Sequence, residues 1–560
     1  MGFAMMWIEA LGWAGLWVAL VLAVVTRLER RRLAILLGAV GIGGLWLLSV
    51  LATVGMGLLA AYVGWGLFVW DLSWTVAYSV AAVIVCRVGL RPEDAAAPQA
   101  AAWPRGKIAV AFAAVVLVYY ITFWNQDLAA QARLEGIRAD AAARALSVAP
   151  TRVPPDQNAA PLYREAFTIF SEANDPPERW NTEWTAWLKW DEPLDLDASA
   201  PDLVAYVKAM EPAAALARQA AAKPGCYFNR DYGRPSADML LPELTGFRSA
   251  AELLAVSARV KAAGGRPEEA RADLEAMFRI TWHVEQDPIL VSALVAMVND
   301  RCAVRTLEAL LNDGTVPVET VALAPTQFYN ETLSRAFRME EAFGLTIFSN
   351  LALGDPSTVA GLWAAGCGGS ARVLGSPLFE LTGCAAAYRV FILPADIRFY
   401  LRSMCEYEHA TGMPYQRAHH RWEEMDKTLQ VGEGMGMLSR LLLPALGGPA
   451  KHAVTADARR ALARLALALE RYRDEKKAYP DSLDAVAPAY IPAVPRDPFD
   501  GQPLRMVRRD GHIILYSVGE DLEDNGGMPW DDEEDTGDLV FRLTLRSPAA
   551  SEHTDAPAAP

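Results

Sequence analysis

Cysteine is scarce in this chain, six in 560 residues, and no two stand in the C-x-x-C spacing of a structural zinc site. Basic charge is also short. Lys and Arg number 52 against 67 Asp and Glu, a net charge of -15, which excludes the clustered cationic surface that nucleic-acid binding requires. Neither a G-x-S-x-G nucleophile elbow nor a Walker loop occurs, and no dinucleotide fingerprint opens a helix after a strand. Enzymatic activity is left open, with no motif to carry it.

Charge of either sign is nearly missing from the first quarter. Residues 10–26 form an apolar run followed by RLERRR at 27–32, and residues 33–86 carry only Asp71 before Arg87, Arg91, Arg105 and Lys107. A final apolar run covers 108–124. Runs of this length match the hydrocarbon thickness of a bilayer. The basic clusters at 27–32 and 87–107 belong on the cytoplasmic side, so an even number of crossings separates them. Four spans are predicted, about 10–26, 33–55, 61–86 and 108–124, forming a transmembrane region at 1–126. A cleaved signal peptide fits poorly, since Glu9 stands where a basic residue is expected. Everything after Trp124 is then extracytoplasmic, on a multi-pass protein of the bacterial inner membrane. With almost no ionisable group inside the spans, they are read as an anchor rather than a transport path.

Residues 127–157 read as a helical stalk and a linker ending in VAPTRVPP. From 158 to 450 the pattern is helical, dominated by Ala, Leu, Glu and Arg. The clearest unit is 249–288. Gly264-Gly265 stops one helix, Pro267 with Glu268 and Glu269 opens the next, and Asp287-Pro288 opens a third that stops at Asn312-Asp313-Gly314. This unit resembles a tetratricopeptide-type hairpin. A solenoid buries its faces only with about three repeats, and no second clean repeat is present, so an irregular, repeat-like helical domain is expected.

Trp180, Trp184, Trp187 and Trp190 share one helical face, which fits a packed core stripe, a sugar-stacking surface or a lipid interface. If an oxidising exterior joins any cysteines, Cys367 and Cys384 are the pair; as small buried hydrophobes they stay reduced. The glycines of 364–377 follow no strand and read as a loop. His283 reads as a packed histidine. Cys405, Glu406, Glu408 and His409, with His419, His420, Glu423 and Glu424, form the best chemical cluster. There His419 and Glu423, and His420 and Glu424, stand four apart on one helix, as metal ligands or as a solvated charged face.

Leu462, Leu465, Leu469 and Tyr472 give one apolar stripe on a long helix ended by Tyr479-Pro480, with Arg464, Arg471, Asp474 and Glu475 turned away. Strands are predicted at 504–508, 512–518 and 539–545, the first two joined by a turn at Asp510-Gly511. Between the last two lies EDLEDNGGMPWDDEEDTGD, with ten carboxylates from Glu520 to Asp538 and no basic residue. Oxygen-rich ligands on a glycine-containing turn suit calcium; the other reading is a solvated acidic loop.

The ordered pieces ALERYRDEKKAYPDSLDAVAP, DPFDGQPLRM, ILYSVGEDLEDNGG and GDLVFRL resemble the soluble end of the major pseudopilin of type II secretion systems, over roughly ninety of 560 residues. The resemblance implies a long helix on a three-stranded antiparallel sheet at 451–546, with calcium held by Asp521, after YSVG, and Asp538, joined by Asp535. The extra acids and Met528-Pro529-Trp530 depart from the family pattern. MLSRLLLPALGG precedes the module in place of a prepilin site, so filament assembly is not expected. Residues 547–560 are expected to be a disordered tail.

The chain therefore reads as mostly α, with four membrane helices, an irregular extracytoplasmic helical domain and a small α+β module. The expected function is a membrane-anchored scaffold or binding protein, envelope- or secretion-associated, its module stabilised by calcium and its partners the lipid bilayer and other envelope proteins. The alternative is a metal-dependent envelope enzyme built on the cluster at 405–424.

Overall fold

The structure, a computed structural model, describes residues 105–172, 197–235, 239, 241–315, 321, 323, 328–353, 388–431, 437–443, 447–531, 534 and 536–545. The expected spans at 10–26, 33–55 and 61–86, the four tryptophans, Cys367, Cys384, the 364–377 glycines, Asp535 and the tail all lie outside the described residues.

The described chain is mostly helical with one small antiparallel sheet. Its contacts gather it into two compact units. One comprises Met1–Arg138, Ile347–Tyr400 and Gly432–Leu443; the other Ala139–Thr346, Leu401–Val431 and Pro444–Pro560. The second unit runs through residue 450, so the helices before it and the sheet after it share one core.

Helix α1 (Arg105–Val148) joins the last apolar run and the stalk in one uninterrupted element, stopped before Pro150. Among the described residues no helix is long and apolar enough to cross a membrane. Most side chains of 108–124 are themselves outside the description.

In the second unit, α2 (Ala160–Glu172), α3 (Pro201–Ala209) and α4 (Glu211–Ala221) lead to three longer helices, α5 (Glu243–Ala263), α6 (Pro267–Glu285) and α7 (Leu290–Asp313). Their ends follow local chemistry. Gly265 takes φ 71° after α5, Pro267 occupies the first turn of α6, and Gly314 at φ 70° closes α7 through its N–H to Leu310 O at 3.2 Å. α5, α6 and α7 pack on one another pairwise. Gly246 is required by the crossing of α2 on α5, because a Cβ there would stand 2.3 Å from Cγ of Phe167. A buried knot ties the bundle: Asp273 accepts from Ser257 Oγ at 2.6 Å, Lys261 Nζ at 2.8 Å and Arg218 Nη1 at 2.7 Å.

A π-turn at Phe328–Thr332 opens α8 (Leu333–Ala352), and a second at Tyr388–Ile392 opens α9 (Leu393–Thr411). After α10 (Tyr415–Val431) and the short α11 (Met437–Leu442) comes α12 (Gly447–Lys476). α12 starts earlier than its apolar stripe indicates, and it ends at Lys476 rather than at Tyr479-Pro480. The chain turns off through Lys477 at φ 60°, and the Tyr479 hydroxyl folds back onto Glu470.

The single-stripe expectation for α12 is also corrected. Leu462, Leu465 and Leu469 are buried as expected, but so are Val454, Ala458, Arg460, Ala463 and Leu467 around the other sides. The sheet covers one face and α7 another, so most of the circumference is enclosed. Of the four residues expected to turn away, Arg464 and Glu475 are exposed, whereas Arg471 and Asp474 are partly buried.

Strands β1 (Arg505–Arg509), β2 (His512–Ser517) and β3 (Leu539–Thr544) lie in the order β1-β2-β3, all antiparallel, within a residue or so of the predicted bounds. Asp510 at φ 50° and Gly511 at φ 75° form the two-residue turn whose twist suits a hairpin. The outer edge of β3 is not open. Asn312 and Glu308 of α7 meet it: Arg542 N donates to Glu308 Oε1 at 2.8 Å, Thr544 N to Asn312 Oδ1 at 2.8 Å, and Asn312 Nδ2 to Arg542 O at 2.9 Å. Two side chains thus supply the bonds that another strand would have made.

Candidate functional site: the acidic loop and two competing clusters

The loop from Gly519 to Asp538 is organised from its interior. Asp538 is fully buried, and its carboxylate accepts from Gly527 N at 2.6 Å and Asn525 N at 3.3 Å. Burial pushes its pKa up to about 6, the two amides pulling the other way. Asp521 accepts from Glu523 N at 3.0 Å, Thr536 Oγ1 at 2.7 Å and Gly537 N at 2.9 Å. Gly537 sits at φ 129°, where a Cβ would stand 2.6 Å from Pro529 O, so the loop closes there only with glycine.

Ten carboxylates in this stretch led to an expected cation or water as the answer to their repulsion. The structure adds two protein answers. Several acids turn inward onto the loop's own amides, Asp524 taking Gly526 N at 3.0 Å in addition to the contacts above. A cation also arrives from β1, where Arg505 Nε lies 3.0 Å from Asp524 Oδ2. Glu520 points to α12, with Thr455 Oγ1 at 3.3 Å and Lys451 Nζ at 3.8 Å.

Of the three expected calcium ligands, Asp521 and Asp538 are brought to the same loop core, and Asp535 is outside the described residues. No group of three His, Cys, Asp or Glu that could hold a metal occurs among the described residues. The donor chemistry nonetheless has room for a hard ion. Asn525 Oδ1 is buried with no hydrogen-bond partner, on the residue whose N–H meets Asp538, and an amide oxygen is a calcium ligand type. A carboxylate offers about four lone-pair positions, more than the amides on Asp538 fill.

Sequence reasoning passed over Asp497, which anchors the loop's entry. Fully buried, it accepts from Ser517 Oγ at 2.8 Å, Val518 N at 2.9 Å and Phe499 N at 3.0 Å, and burial raises its pKa. The signal was present in DPFDG, where an Asp before a tight turn caps local amides.

The cluster at 405–424 is spread along two helices. His419 Nε2 lies 3.4 Å from Glu423 Oε1, and His420 Nε2 the same distance from Glu424 Oε1, as the four-residue spacing requires. Glu406 is taken by Arg421 and Glu408 by Arg338 Nε at 2.5 Å, while Cys405 is exposed with a free thiol. The carboxylates of α9 therefore face guanidinium groups rather than the imidazoles.

A third cluster surrounds a cavity of about 20 Å³ lined by Cys226, Arg230, Tyr232, Phe247, His283 and Asp287 among others, room for a single water. Asp287 was expected only as a helix opener. It is a hub, accepting from Tyr232 Oη at 2.7 Å, Ser292 Oγ at 2.9 Å and Arg230 Nη2 at 3.1 Å. His283 is packed, as expected, and doubly bonded. Its Nε2 faces Lys223 O at 3.0 Å, which fixes the proton on Nε2, so Nδ1 accepts from Tyr163 Oη at 2.8 Å. Burial lowers its pKa to about 4, and burial also drives the Cys226 thiol well up. A neutral imidazole with both nitrogens occupied and a protonated thiol make a structural network, not an acid–base pair.

Compared with known proteins, the chain matches no protein-family profile, no curated protein and no solved structure.

Proposed function

We propose that this chain is a membrane-anchored, extracytoplasmic scaffold or binding protein of the bacterial envelope, whose pseudopilin-like C-terminal module carries a calcium-stabilised loop. The observation that carries the reading is the enclosure of the module by the helical body. α12 is buried on most of its circumference, Arg460 pairs with Asp300 of α7, and the β3 edge is capped by Glu308 and Asn312. A helix sheathed in this way cannot also pack against copies of itself in a filament, and a capped edge cannot recruit another strand. The acidic loop stays at the surface, with Glu523, Asp524 and Met528 exposed.

Asp538, Asp521 and the oxygen of Asn525 would hold the ion, with Asp535 joining them. The ion would supply positive charge to a stretch otherwise held by its own amides, the Thr536 and Thr455 hydroxyls, Arg505 and Lys451. The chain's own residues do the positioning: Asp497 fixes the entry, Gly537 permits the closure and Thr536 orients Asp521. Anchoring rests on the four apolar runs and the flanking basic clusters, and secretion or another envelope process is the setting the resemblance implies.

The test is a thermal melt of the full chain in detergent with calcium or with chelator. Calcium is expected to raise the midpoint and slow proteolysis within 519–538, and Asp538→Asn is expected to remove both effects. An unchanged midpoint and cleavage rate at millimolar calcium would reject the calcium assignment.

A further inference from the structure

We infer that α1 leaves the bilayer at Trp124 and that the chain returns to that boundary at Tyr388–Ile392, docked by the Asp127–Arg389 ion pair with Phe391 in the headgroup layer. This rests on the anchoring proposed above and adds a second, sequence-distant membrane contact in the first compact unit.

Within the first unit the exposed side chains of α1 change along its length, and the exposed Leu146 lies near its far end, in the second unit. Val118, Ile121, Trp124 and Leu128 are 63%, 48%, 54% and 48% exposed, and at spacings of three, three and four they form one face. Beyond Leu128 the exposed charged residues begin, with Arg133, Glu135 and Asp140. The stripe continues the apolar run of 108–124, and a face of this kind in water would cost hydrophobic free energy at every residue. Acyl chains are the occupant that continuity selects. Trp124, followed by exposed Asn125 and Gln126, stands where the surface changes, the depth at which tryptophan concentrates in membrane proteins.

On the other side of α1 the residues are buried, with Asp127, Ala130 and Leu134 all below a tenth exposed. Asp127 is one turn beyond Trp124, and there it meets Arg389. The guanidinium Nε lies 2.8 Å from Oδ1 and Nη2 3.1 Å from Oδ2, while Nη1 donates to Ala352 O, the last carbonyl of α8, at 2.9 Å. Arg138 reaches the same helix end, its Nη2 donating to Asn350 Oδ1 at 2.7 Å. A two-pronged pair of this geometry, buried and bonded, fixes the π-turn against α1 at one height. Phe391, two residues on, is 41% exposed. Among the described residues of this unit it is the large exposed hydrophobic outside α1. Its height, set by Asp127, is that of the lipid headgroups.

The experiment places a photoreactive benzoylphenylalanine at Val118, Phe391 or Asp140 of the full chain in phosphatidylglycerol-containing vesicles and detects lipid adducts by mass spectrometry after irradiation. Adducts are expected at 118 and 391 and not at 140. In an Arg389→Ala background the yield at 391 should fall by about tenfold or more, with that at 118 unchanged. Adducts at 118 but none at 391 would overturn the return to the membrane and leave anchoring intact; none at 118 would overturn anchoring itself. An unchanged 391 yield in Arg389→Ala would overturn docking by the ion pair.

Discussion

Arg460 and Asp300 meet with Nε 2.6 Å from Oδ1, both essentially inaccessible to water. The guanidinium also lies over the ring of Phe328 at 5.1 Å. They stand 160 residues apart and join α12 to α7. Removing one partner of a buried pair strands the other's charge.

Asp300→Ala is therefore expected to destabilise the second unit by about 3–5 kcal/mol, whereas Asp300→Leu with Arg460→Met recovers most of the loss. Chemical denaturation of the full chain checks this. A double variant as unstable as the single one would mean that packing volume, not stranded charge, sets the cost.

The His283 network has a pH signature. Its pKa falls from 6.5 to about 4 on folding, so the unfolded state binds the extra proton first. This contribution is complete above about pH 6.5 and is lost as pH drops toward 4, amounting at most to about 3 kcal/mol. His283→Phe should flatten stability against pH across that window while lowering it at neutral pH. Equal slopes in the two proteins would contradict the assignment.

Asp538 works in the opposite sense. With its pKa raised to about 6, the folded state holds the proton more tightly, so this group's contribution weakens stability as pH rises from about 4 to 6. A bound cation competes with that proton. The calcium-dependent rise in melting temperature should therefore be full above pH 7 and fade below about 6, as calorimetry across pH would record.

Asn312→Ala should expose the Thr544 amide and the Arg542 carbonyl together. A cost of about 1–2 kcal/mol is expected for each, with faster hydrogen exchange at Thr544 and unchanged exchange in β1. Uniform acceleration over the sheet would show instead that Asn312 supports the whole module.

The parts of this fold that could be read beforehand are those decided within a few residues. Gly264-Gly265, Pro267 and Gly314 bound their helices, and Asp510-Gly511 makes its hairpin, because backbone preference acts locally and needs no partner. Asp521 and Asp538 were picked out by the resemblance rather than by local pattern, and the structure shows each accepting amides of the acidic loop. Asp497 and Asn525 were passed over because their roles depend on which amides and oxygens end up buried.

By itself, then, the sequence determined the helical class, the helix ends marked by Gly264-Gly265, Pro267 and Gly314, the three strands and the acidic character of the loop between the last two. Only the tertiary structure decided that α12 is enclosed rather than one-sided, that Asn312 and Glu308 close the sheet, and which arginine meets which buried aspartate. Those outcomes join residues up to 262 positions apart, as Asp127 and Arg389 are. No local pattern encodes them, because a buried charge is tolerated only beside a partner that folding brings to it.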